Sequence, residues 1–103
     1  MIVVTTDTIS GQNFQTLGFV SGNTVRAKNA FKDIGAGFRN LVGGEVVSYT
    51  KMLNESRDIA IQRMIENAQA MGADAIVAVR FSTSSIMEGA AEIMACGTAV
   101  KFV

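Results

Sequence analysis

Histidine is absent from this 103-residue chain, and cysteine occurs once, at Cys96. Zinc sites of the usual kind draw on His, Cys and carboxylates, so one built within a single subunit is nearly excluded. A lone thiol forms no intrachain disulfide, which points to a reducing compartment. Charge is scarce as well. Nine basic and nine acidic side chains cancel, and charged residues make up only 17% of the chain. That balance lacks the basic excess of a nucleic-acid-coating protein, and it fits a chain that hides part of its surface in an oligomer. The longest uncharged run, Thr8 to Val25, is broken by Gly11, Gln12, Asn13, Gln15, Gly18, Ser21, Gly22 and Asn23. It is too polar to span a bilayer. The opening Met1-Ile-Val-Val-Thr-Thr-Asp7 has neither the basic n-region nor the long apolar h-region of a signal peptide. A soluble cytoplasmic protein is the expectation.

What the chain does have is apolar patterning, with 49% of its residues hydrophobic. A helix-period stripe runs from Glu45 to Met71, after Gly43-Gly44 and before Gly72. Val46, Tyr49, Leu53, Ala60, Met64, Ala68 and Met71 share one face, interrupted by Ser56 and Asn67. A helix of that span is about 40 Å long, whereas a compact domain of this size is only about 30 to 35 Å across. A second stripe of Met52, Ile59, Ile61 and Ile65 widens the apolar surface beyond what one sheet face requires, which implies a second partner. Gly72 is placed to close the helix in a left-handed cap.

Around it lie strand signals. Ile2 to Thr6 is β-branched, and Phe14 to Lys28 reads extended, with Gly18 and Gly22 suggesting a bend or bulge. That stretch puts Leu17, Phe19, Val25 and Ala27 on one face and Phe14, Val20 and Arg26 on the other. Asn29 is a cap for a short, weak helix through Phe31, Ile34 and Phe38. Asp74 to Thr83 is a strand with Ala75, Val77, Val79 and Phe81 on one side and Ile76, Ala78 and Arg80 on the other. Ser82 to Gly89 reads as a loop, and Glu92 to Phe102 as a last strand with neither face plainly solvated. One α+β domain over residues 1–103 follows, a sandwich with a mostly antiparallel sheet, one long and one short helix and an extra N-terminal strand. Helices can cover one sheet face only. The other face, or the strand edges, is left for further copies, and a closed ring removes such edges.

Four stretches then stand together: Asn40-Leu-Val-Gly43-Gly44-Glu45 with Tyr49-Thr50 behind it, Ala60-Ile-Gln-Arg63-Met64, Gly72-Ala-Asp-Ala-Ile76, and Gly97-Thr98-Ala99-Val100. In this order and spacing the chain resembles the YbjQ-like family, small bacterial proteins that often carry a heavy-metal-binding label. The resemblance implies a dodecin-like β-α-β-β subunit and assembly as ring-shaped pentamers. It brings no established activity. The family more often has an aromatic residue where this chain has Cys96, so a thiol-based role would not be general to it.

Each constellation has a functional and a structural reading. Met94 and Cys96 share a strand face, and their sulfurs form a soft pair suited to copper(I), although Met and free Cys usually fill cores. The glycine-rich run Gly35 to Gly44, with Arg39, invites an anion at the following helix. It lacks a Gly-Lys-Ser/Thr ending and a preceding strand, so a tight helix-to-helix turn is the better account. Arg26, Lys28, Lys32 and Arg39 form a mildly basic stretch that reads as a solvated face. Glu45, Tyr49 and Arg57 are candidates for a small-ligand pocket at a subunit boundary, or for structural anchors there. Cys96 has no His to activate it, and no serine has a base.

The expectation is a non-enzymatic, homo-oligomeric ring module whose partner is itself, of unknown ligand and cofactor. The alternative is a soft-metal binder. A third reading places an enzyme site around Glu45, Tyr49 and Arg57.

Overall fold

The computed structural model describes residues 1–26, 41–42, 45–87 and 90–103, with backbone alone over 41–42 and 45–49. The short helix expected after Asn29 and the basic residues Lys28, Lys32 and Arg39 lie outside the described residues. Of the glycine-rich run only Leu41–Val42 is described, where it is a strand paired with Glu45–Val46 and leads into strand before the helix, not straight from helix to helix. In chain order the elements are β1 (Ile2–Val3), β2 (Phe14–Arg26), β3 (Leu41–Val42), β4 (Glu45–Val46), α1 (Val47–Ala70), β5 (Ala75–Met87) and β6 (Ala90–Phe102). Four strands form one sheet in the order β1-β5-β6-β2, and β3 and β4 pair separately. β1 runs parallel to β5, while β5 with β6 and β6 with β2 are antiparallel. The architecture is therefore α+β, a mixed sheet with one described helix against it.

The helix begins later than its hydrophobic period suggested. Glu45 and Val46 are spent pairing with Val42 and Leu41, so α1 starts at Val47. Its 24 residues still span about 36 Å. At the other end, Gly72 takes φ 81°. Its N–H bonds to the Gln69 carbonyl at 3.0 Å and the Ala73 N–H to the Ala68 carbonyl at 3.1 Å. This double closure satisfies helix-end carbonyls and needs a residue at ease in the left-handed region.

Small residues decide how the helix meets the sheet. Ser56, Ala60, Met64 and Ala68 are buried on α1, facing Val20, Ile76, Val79, Ile93, Ala95 and Ala99. Gly22 sits in β2 opposite Ala95. A Cβ there would lie 2.2 Å from the Met64 nitrogen and 2.4 Å from the Ala60 oxygen. Gly18, not Gly22, marks the irregularity in β2, with φ 146° at a register shift between Thr16 and Gly18. The shift places Leu17 against the helix-side core with Val20, and Phe14 against the opposite cluster with Val100 and Phe102. Both assignments reverse the simple alternation expected of this strand.

β5 behaves likewise. A bulge between Val77 and Arg80 puts Ala78 at φ 55° and turns Val79 to the side of Ile76, away from Val77. The extra residue shifts the pleat by one. The segment 4–6 closes around it: Ala78 N–H bonds to Thr6 O at 2.8 Å, Val79 N–H to Val4 O at 3.0 Å, and Arg80 Nη1 to Thr5 O at 2.8 Å. The N-terminal strand itself is short, Ile2–Val3.

The largest departure is at Ser82 to Met87. The expected loop is strand, paired with β6 through Met87 opposite Ala90. Long β6 supplies backbone partners along its length, and these keep the exposed, Ser-rich stretch extended. Strands of 13 residues span about 43 Å, and the molecule extends 52 × 28 × 16 Å.

The two outer edges differ. On β2, Asn67 Nδ2 donates to Ser21 O and Arg63 Nη1 to Asn23 O, each at 2.8 Å, so helix side chains block that edge. Among the described residues no strand lies on the outer edge of β5 from Phe81 to Met87. Opposite the helix, the sheet face shows Phe19 at 71% and Val25 at 51% exposure. Ile61 and Ile65 of the second stripe are half-buried and pack partly on the subunit's own core.

Candidate functional site

Two rows of the sheet extend towards the first turns of α1. In one, Arg26 faces Ala91, which faces Ser85; in the next, Thr24 faces Ile93, which faces Thr83. All six side chains project to the helix side, because paired residues share a face and the pleat has period two. Met52, Leu53 and Ser56 of α1 lie above them. Between the layers is a cleft of about 340 Å³. Ala91 is small, and its missing bulk leaves the middle of the outer row open.

Ser56 organises one end. It is 1% exposed, and its Oγ donates to the Met52 carbonyl and accepts from Arg26 Nε, both at 2.8 Å. The hydroxyl thus spends both roles and fixes the guanidinium by its inner nitrogen. The terminal nitrogens of Arg26 have no acceptor among the described residues. Glu92 borders the cleft, yet its carboxylate accepts from Asn23 Nδ2 at 2.9 Å on the opposite side of the sheet. Inward, Thr24 is 5% exposed with no partner for Oγ1 among the described residues. The site is therefore a half-enclosed apolar cleft with a cation at one end and the hydroxyls of Thr83 and Ser85 along the far wall.

Met94 and Cys96 lie on the other face, opposite Asn23 and Ser21 of β2 and opposite Ser82 and Arg80 of β5. Both are half-buried. Among the described residues no three His, Cys, Asp or Glu side chains gather into a metal-binding group. A sulfur pair alone leaves most of a metal's coordination to other donors.

A family model with the description "Putative heavy-metal-binding" matches residues 1–103, and it is the YbjQ-like model. The chain belongs to the YbjQ-like family. It is 57% identical over 104 residues to a UPF0145 protein of Methanosarcina acetivorans, covering 100% of this chain and 98% of that one. It is 55% identical over 104 residues to a UPF0145 protein of Vibrio parahaemolyticus, covering 100% and 99%. Among solved structures, it is similar to a Pediococcus pentosaceus protein of unknown function assigned to the DUF74 family. The TM-score there is 0.69 at 14% identity, with 100% of this chain and 98% of that one covered. That likeness carries the fold alone.

Within this YbjQ-like chain the three residues singled out from sequence fall on two elements, Glu45 on β4 and Tyr49 and Arg57 on α1. Glu45 lies in β4, ahead of the helix, so it does not share a helical face with Tyr49 four residues on. The backbone of Tyr49 is in the first turn of α1, and the side chains of both residues lie outside the described ones. Arg57 is exposed and donates to Asn54 Oδ1 on its own helix. The structure instead joins Arg26 with Ser56, thirty positions apart in sequence. One signal for this pairing was visible: Ser56 is a hydroxyl within an apolar stripe, and a buried hydroxyl requires a partner. No helix is long and apolar enough to cross a membrane among the described residues.

Proposed function

We propose that this YbjQ-like chain is a non-enzymatic binding or assembly module that works as a homo-oligomeric ring in the cytoplasm. Five copies is the number that the family resemblance implies. One observation carries the reading: the outer edge of Phe81–Met87 is unpaired by any described strand and bears no charge. Edges of this length are ordinarily blunted by Lys, Pro or a covering element, because free N–H and C=O groups recruit other strands. The edge of β2 has such a guard in Arg63 and Asn67. Contact with a second copy would satisfy the β5 edge and cover Phe19 and Val25, and ring closure would leave no edge over. Chain chemistry agrees with a non-enzymatic role, since the cleft hydroxyls have no histidine to act as their base.

Native mass spectrometry of freshly purified, metal-unstripped protein tests this. We expect a species of five times the 10.9 kDa subunit. Phe19→Lys and Ile86→Lys, at positions 71% and 50% exposed, should give folded, smaller species. A monomeric parent protein, or intact rings from both variants, would remove this interface.

A second reading is soft-metal binding through Met94 and Cys96, favoured by their shared, half-buried sheet face and by the description of the family model. Copies around an axis would have to complete the ligand set. Titration with copper(I) should then show stoichiometric uptake that Cys96→Ser weakens at least tenfold; equal uptake by the variant takes the thiol out of the case.

A further inference from the structure

We propose that the cleft between the first turns of α1 and the far end of β5 and β6 binds a small amphipathic carboxylate. Arg26 is the one cation among its described lining residues, and it is half-buried. Ser56 holds it through Nε, and among the described residues the terminal fork of N–H donors has no acceptor. A carboxylate accepts two parallel N–H bonds from such a fork. The acid nearest by sequence pairing, Glu92, opposite Val25 and Ser84, is held by Asn23 across the sheet and does not neutralise the guanidinium.

Behind the cation the lining is apolar, formed by Met52, Leu53, Ala91 and Ile93. A fully hydrophilic anion would leave those surfaces wet and gain nothing from them. An alkyl chain removes them from water, which favours binding. The volume of about 340 Å³ stands at the low end of ligand pockets, about 300 to 1,000 Å³, and so selects a short ligand. Thr83 and Ser85 supply hydroxyls for a further polar substituent along the tail. This names a ligand class for the binding module proposed above, and it does not require the ring.

Hexanoate is the probe and hexanol the uncharged control, observed through methyl resonances of Met52 and Ile93 in the full chain. Hexanoate at about 10 mM, a concentration that reveals even weak sites, should shift both. Arg26→Gln should weaken hexanoate at least tenfold while hexanol changes little. Ala91→Leu should abolish binding of both by filling the open middle of the row, with the thermal transition retained. The proposal is overturned by silence of both resonances, by equal affinity for hexanoate and hexanol, or by hexanoate shifts that survive both variants. Should Arg26→Gln fail to fold, Ala91→Leu and the comparison of acid with alcohol still decide. A monomer that answers to hexanoate keeps the cleft and loses the ring; a ring that does not answer does the reverse.

Discussion

Gly22→Ala should abolish cooperative folding, or cost about 4 kcal/mol or more where a transition survives. The added Cβ would meet the Met64 nitrogen at 2.2 Å, the Ala60 oxygen at 2.4 Å and the Arg63 carbonyl carbon at 2.8 Å. These are main-chain atoms in the middle of a hydrogen-bonded helix, so no side chain can rotate aside. Relief requires the whole helix to lift from β2. That separation would open voids around Ala60, Ala68, Ala95 and Ala99, all at 0% exposure. Loss of contact across so many small residues cannot be recovered by local repacking. Urea unfolding followed by circular dichroism measures the effect. A variant within about 1 kcal/mol of the parent would show that the helix is not seated on Gly22.

Met64→Glu is the second large effect. Met64 is 0% exposed and contributes to the helix-side core. A carboxyl there has no described polar side chain waiting for it. It must either ionise in an apolar site or hold its proton at neutral pH, and each route costs several kcal/mol. Against a total stability of about 5 to 15 kcal/mol for a domain, the folded population falls steeply. Ile61→Glu is the control, because Ile61 is half-buried on the helix flank and its new carboxylate can reach water. Thermal unfolding should find Met64→Glu unfolded near room temperature and Ile61→Glu folded. Two folded variants, or two unfolded ones, would mean that the rotation of α1 about its axis is wrong.

The long helix, its glycine stop, the strand on either side and the α+β class were all legible in the residues. Helix and strand have different hydrophobic periods, 3.6 and 2, and local patterning reveals them without knowledge of any partner. The glycine cap was legible for the same reason, since φ 81° is a local demand on a single residue. Other features were not local. Ser82 to Met87 has the composition of a loop, and only the length of β6 beside it keeps it a strand. The bulges at Thr16/Gly18 and at Val77/Arg80 shift the pleat, so Leu17 and Val79 reached faces that alternation would not assign them.

The cleft follows the same division. From sequence, Arg26 belonged to a basic stretch and Ser56 to an interrupted stripe. Neither label connects them, because a contact across thirty residues is set by the register of β2 under α1. That register rests on Gly22. From sequence Gly22 suggested a bend or bulge, whereas in the structure it marks a close approach of strand and helix backbones. What the sequence by itself determined is the long helix with its glycine stop and the main strand segments, each encoded in its own short-range periodicity. What only tertiary structure decided is which faces those elements share, which edge stays open and where Arg26 meets Ser56, because all three depend on how closely one backbone can lie on another.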